Sequence, residues 1–138
     1  MEPEIRILSS TDLPASTVSL RNDGILQIYM KPGITIKLED AKAVVKVFED
    51  LGKGKKYPLL FIAGSFTLAS TDARNYASGH DANIYTIASA FVVNNIAQKL
   101  MGNAYISFNK PPTPTKIFTS ETEAVKWLKT FPRVTTDE

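Results

Sequence analysis

Residues 57–63 read Tyr57-Pro58-Leu59-Leu60-Phe61-Ile62-Ala63, seven positions without a charge. A short continuous apolar run, with no alternation of polar and apolar positions, suits a strand covered on both faces of a sheet. It predicts a central strand, and its flanks decide the rest. Upstream, Ala41, Val44, Val45, Phe48 and Leu51 recur at helical spacing between Leu38 and Leu51. Glu39 and Asp40 stand in the first turn and Gly52 follows the last. Carboxylates near the N-terminal amides and a glycine past the end mark a helix over 38–51. The loop Lys53-Gly54-Lys55-Lys56 leads from it into the strand.

Further upstream, Val18 and Leu20 alternate with polar residues, Asn22-Asp23-Gly24 carries turn chemistry, and Ile25, Ile28 and Met30 continue beyond it. This predicts a hairpin, broken at Lys31-Pro32-Gly33. Residues 1–16, with Pro3 and Pro14, suit an arm or an edge strand.

Downstream, Gly64 to Ala69 reads as a loop. Ser70 or Thr71 then caps a helix through Ala82 by accepting orphan amide hydrogens. Ile84 to Val93 is apolar and β-branched, which predicts a second buried strand. Asn94 or Asn95 opens a short helix ending at Gly102, and Tyr105, Ile106 and Phe108 mark a further strand. Pro111, Pro112 and Pro114 force an extended crossing to a last short strand at Ile117-Phe118. Ser120 and Glu123 form a capping box for a final helix whose stripe is Ala124, Val125, Leu128 and Phe131, stopped by Pro132.

Strands alternating with helices behind an opening hairpin predict one α/β domain over 17–131, a mixed sheet with about four helices packed mainly on one face. Residues 132–138 read as a tail. At 138 residues the chain is long enough to bury roughly two-thirds of its unfolded surface. It is 43% hydrophobic and 22% charged, with no cysteine, which excludes disulfides, thiolate metal sites and a cysteine nucleophile. The mean hydropathy of −0.08 is that of a soluble chain. An acidic start, Met1-Glu2-Pro3-Glu4, and the lack of a run near ~20 apolar residues argue against export and a membrane span, so a cytoplasmic protein is expected. A formal net charge of +2 is far below the basic excess of a dedicated nucleic-acid binder.

The order of elements resembles the STAS-like domains, the SpoIIAA-like fold of bacterial anti-sigma factor antagonists. Ala73-Arg74-Asn75-Tyr76, Gly102-Asn103, Asn109-Lys110-Pro111 with Pro114 and Phe118, and Ala124-x-x-Trp127-Leu128 resemble an uncharacterised bacterial group of such proteins over most of 18–131. No activity attaches to that group. In the antagonists, a serine at the start of the helix after the central strand is phosphorylated by a kinase-like partner. The matching positions here are Ser70 and Thr71, in Ala69-Ser70-Thr71-Asp72 where the antagonists have an Asp-Ser pair. A phosphate there would meet free amides and a favourable dipole; the plainer reading of these hydroxyls is an N-cap.

Around those candidate phospho-acceptors, Ser65, Arg74, Asn109, Lys110, Pro111 and Pro114 complete a candidate ligand or partner surface, since a rigid polar-tipped loop between strands can line a cleft. Tyr85, Phe91, Tyr105, Phe108 and Phe118 are core aromatics that could also bound an apolar pocket. His80 is the sole histidine, and a triad with Ser65, Ser70, Asp72 or Asp81 lacks the Gly-x-Ser-x-Gly elbow. One histidine and scattered carboxylates show no metal-ligand spacing. Lys53 to Lys56 lacks the second glycine and the Ser/Thr of a phosphate-binding loop.

A non-catalytic regulatory or protein-interaction module without a cofactor is therefore expected. The alternative is a small-molecule binding domain, for a nucleotide or a lipid, which requires a real cavity near 65–71 and 109–114. A homodimer is expected from the apolar Ile5, Ile7, Leu8, Ile34 and Ile36 and from an opening strand that leaves a sheet edge.

Overall fold

A computed structural model describes residues 4–132. The elements run β1 (Ile7–Asp12), β2 (Ser16–Arg21), β3 (Leu26–Met30), β4 (Thr35–Ile36), α1 (Leu38–Gly52), β5 (Tyr57–Ala63), β6 (Leu68–Ala69), α2 (Thr71–Ala77), β7 (Thr86–Val92), α3 (Ile96–Asn109), β8 (Thr115–Phe118) and α4 (Glu121–Leu128), with a 3-10 turn at Asp81–Asn83. The main sheet has the order β1-β2-β3-β5-β7-β8. Its first three strands form an antiparallel meander. β3, β5, β7 and β8 then run parallel. The mixed sheet and the four helices give the α/β class expected from the sequence, and the apolar run 57–63 lies inside the sheet. Residues 7–12 form the outer strand, pairing with β2 alone, while 133–138 of the expected tail lie outside the described residues.

Strand alternation divides the interior in two. On one face Val18, Leu20, Leu26, Ile28 and Leu59 meet Val47 and Phe48 of α1. On the other, Ile25, Leu60, Ala88 and Ala90 meet Ala124 and Leu128 of α4. Neighbouring residues Leu59 and Leu60 thus serve opposite cores, which explains the unbroken apolar run. Burying side chains such as Phe48 or Leu128 contributes about 1.5–3 kcal/mol each. α1, α2 and α3 share one face and α4 covers the other. Asp40 accepts the Lys37 amide hydrogen at the start of α1 (2.8 Å), and Ser120 accepts that of Glu123 at the start of α4 (3.3 Å).

Three expectations need correction. The segment Gly64 to Ala69 contains β6, which pairs in parallel with β4; two-residue strands carry too little pattern to stand out. The helix begun by Ser70 ends at Ala77 rather than Ala82. Asn83 folds back to donate to the carbonyls of Ala77 (2.9 Å) and Gly79 (2.7 Å), meeting backbone oxygens that a longer helix would have satisfied.

The largest departure is α3, which continues through Gly102 and absorbs Tyr105, Ile106 and Phe108, expected as a strand. Asn95 caps it, accepting from Gln98 N (2.9 Å), while Gln98 Oε1 accepts from Asn94 N (2.7 Å). Lys110 closes it in the left-handed conformation just before Pro111. Gly102 is a packing residue: a Cβ there would lie 2.8 Å from Ile117 Cδ1. Its bare Cα lets the helix approach β8, at the usual mid-helix cost of about 1 kcal/mol.

Candidate functional site

The face bearing Leu59, Phe61 and Ala63 is incompletely filled. Between it and α1, α2 and α3 lies a cavity of about 730 Å³. Its floor comes from alternate positions of adjacent strands, since Ile28, Phe61, Phe91 and Ile117 are in register across β3, β5, β7 and β8. Phe61 and Phe91 stack with centroids 4.5 Å apart and planes 7° off parallel, and Tyr105 of α3 meets Phe91 edge-on at 6.4 Å. Val44 and Val45 of α1, Ala73 of α2 and Met101 of α3 add to the walls. Ser16 and Ser89 are buried lining residues on the strands.

Polar side chains cluster at the helix ends, and most are already bonded. Asn109 donates to Asn75 Oδ1 (2.9 Å) and Ser78 Oγ (3.2 Å), tying the end of α3 to α2. Burial pushes the Tyr105 phenol up, with Ser78 beside it pulling the other way, so Tyr105 is neutral near neutral pH. Arg74 donates to the Ala69 carbonyl and to Thr71 Oγ1 (3.1 Å). No carboxylate pairs with Arg74 among the described residues, and it lies on the cavity wall.

The expected surface residues divide. Arg74, Asn109 and Pro111 line this cavity; Ser65, Ser70, Thr71, Lys110 and Pro114 do not. The segment 109–114 joins a helix to a strand rather than two strands, because 105–108 is helical. Ser65 is exposed, and its carbonyl accepts from Gly33 N (2.9 Å). Ser70 Oγ accepts from Ala73 N (3.1 Å) as the N-cap of α2, whereas Thr71 is exposed. The short β4–β6 ladder brings the starts of α1 and α2 together, so Ser70 and Asp72 share a depression with Lys37 and Lys42. Of the expected pocket aromatics, Phe91, Tyr105 and Phe108 line the cavity. Tyr85 packs against the first core, and Phe118 meets Trp127 at a tilt on the other face of the sheet. Phe61 was legible only as core, although the alternation Leu59, Phe61, Ala63 would have placed it beside Phe91.

His80 is exposed and makes no hydrogen bond with Ser65, Ser70, Asp72 or Asp81 among the described residues. Groups of three or more metal-ligating side chains are likewise absent among the described residues. None of the described helices is long and apolar enough to cross a membrane.

The mixed sheet with these helices is a SpoIIAA-like fold. It is similar to the crystal structure of an uncharacterised protein of the DUF3478 family from Shewanella loihica PV-4, with a TM-score of 0.56 and 17% identity over 93% of this chain and 98% of that one. Residues 18–132 match the family described as a domain of unknown function (DUF7793), and the chain belongs to that family. No curated protein matches the sequence.

Proposed function

We propose that the chain is a non-catalytic, cytoplasmic binding module that takes an apolar small molecule between its sheet and α1, α2 and α3. The cavity of about 730 Å³ carries this reading, because it falls in the size range of ligand sites and is walled by aliphatic and aromatic side chains. The stacked Phe61 and Phe91 suit a flat ring or an acyl chain. Arg74 is the cation that would meet an anionic end of such a ligand. The lining is mainly aliphatic and aromatic, and several of its polar side chains, among them Asn83, Gln98 and Thr67, are already bonded to backbone groups, which favours a lipid-like ligand over a nucleotide.

Titration with the neutral fluorophore N-phenyl-1-naphthylamine tests this. We expect enhancement that saturates at about one probe per chain, as one site of this size requires. Ala41→Phe, which fills the cavity from α1, abolishes it without lowering the unfolding temperature. For an anionic anilinonaphthalene sulfonate, Arg74→Leu weakens binding about tenfold while the neutral probe is unaffected. No enhancement, or equal enhancement in Ala41→Phe, sinks the reading.

A regulatory reading rests on two other observations. β1 is an edge strand, and Ile5 just before it and Ile7 and Leu8 on it are exposed, a surface on which a second copy can pair. Ile34 and Ile36 are half-buried and take no part in that surface. We propose a homodimer through β1, and light scattering showing a concentration-independent monomer would exclude it. Of the two candidate phospho-acceptors, Thr71 is the one open to a kinase-like regulator, because Ser70 holds its helix. Mass spectrometry of chain purified from its own cells reads the phosphate directly; modification of Ser70 alone contradicts the assignment.

A further inference from the structure

α3 presents a largely exposed apolar face, of which Met101 and Phe108 also border the mouth of the cavity while Ile96 and Leu100 do not. The helix has no buried residue. Ile96 is 73% exposed, Leu100 66%, Met101 60% and Phe108 85%. At 3.6 residues per turn these four, with Ala97 and Ala104 between them, fall within roughly 140° of the helix circumference. Gly102, against Ile117, lies on the opposite side.

Phe66 is a further exposed apolar side chain, at the end of the sheet from which α3 starts. It is 85% exposed, in the turn that follows β5, and has a φ of +60°. That left-handed backbone is unfavourable for a bulky residue, so the turn holds an aromatic where Asn or Gly would be easier. Asn94 Nδ2 donates to the Ala63 carbonyl (3.2 Å), tying the same end of the sheet to the start of α3.

Charge indicates what the face meets. From Ala82 to Ser120 the chain has no Asp or Glu, and it carries Lys99, Lys110 and Lys116. That segment is +3, so with a total of +2 the remainder is −1. Lys116 lies over Phe118 on the other side of the sheet, while Lys99 and Lys110 lie along one margin of the apolar stripe. A broad apolar helix face with lysines at its margin, no acid within it and an aromatic nearby matches the boundary between acyl chains and anionic headgroups.

We propose that α3 and the Phe66 turn dock on an anionic membrane surface, with α3 lying in the interface plane. Docking does not require the cavity to be filled, so it goes beyond the binding reading and stands or falls separately.

Co-sedimentation of the full chain with phosphatidylcholine vesicles, with and without phosphatidylserine, tests it. Binding is expected to the anionic vesicles, to be much weaker to the neutral ones and to fall as salt rises. Leu100→Ser and Phe66→Asn each lower the partition coefficient about tenfold. Phe66→Asn also serves as the folding control: asparagine tolerates the left-handed turn, so its unfolding temperature is at or above the parent's. Absence of vesicle binding overturns the proposal, as does binding unchanged in both variants. So does a dimer that Leu100→Ser dissolves, which would assign the face to a second copy. Naphthylamine binding is unaffected by these outcomes, which separates a failure here from a failure of the cavity reading.

Discussion

Arg21 donates twice to the Asp23 carboxylate, at 3.1 and 2.7 Å, and once to Gln27 (3.3 Å), with both charged side chains nearly buried at the turn between β2 and β3. Lys129, just beyond α4, stands 3.7 Å from the same carboxylate. In the sequence Asp23 is an ordinary turn residue of Asn22-Asp23-Gly24, and nothing nearby announces that α4 will seal it from water. Removing one partner of a buried pair leaves the other charge desolvated. We expect Asp23→Ala to lose about 3 kcal/mol, measured as a lower urea midpoint at unchanged slope. A loss below ~1 kcal/mol would mean that the pair is solvated and worth only what surface pairs are worth. Asp12, exposed beside Lys31 and Thr17, is held below the usual carboxylate range by their hydrogen bonds and by the lysine charge.

Among the helices, α3 and α4 are opposites. α4 is eight residues long, yet Ala124 and Leu128 are fully enclosed; α3 has fourteen residues and buries none. Elements with few buried apolar contacts open at low free energy. Amide exchange in α3 should therefore be markedly faster than in α1 or α4, and equal protection would show that α3 is held by contacts beyond β8 and α2. The same contrast explains what was legible. The stripe of α4 and its capping box both point inward and agree, whereas α3 turns only Gly102, Tyr105, Ile106 and a few polar residues toward the protein and buries none of them fully. Ile96, Leu100, Met101, Ala104 and Phe108 do recur at helical spacing, but Gly102 reads as a stop and Tyr105, Ile106 and Phe108 as a strand until the position of β8 is known.

For the molecule as a whole, stability should fall on the alkaline side. Burial pushes the phenols of Tyr57 and Tyr105 above their ordinary value. The unfolded chain therefore ionises first, near pH ~10. The contribution of these phenols is complete below that value and is lost as pH rises through the folded values. The unfolding temperature is expected to drop above pH ~10, and the drop should be smaller in Tyr57→Phe and Tyr105→Phe; equal slopes in parent and variants would assign the loss to other groups.

The sequence by itself determined the sheet and most of its cover. Val18 to Met30, the run 57–63, the helix from Leu38 and the helix capped by Ser120 each carry a local pattern with a period that matches their burial. Only the tertiary structure decided that three helices stand off the sheet over Phe61 and Phe91, that Asn109 ties α3 to α2, and that an apolar helix face looks outward. Local pattern reports which side chains avoid water. Whether they avoid it by packing, by enclosing a cavity or by awaiting a partner depends on distances between segments far apart in the chain, which periodicity does not encode.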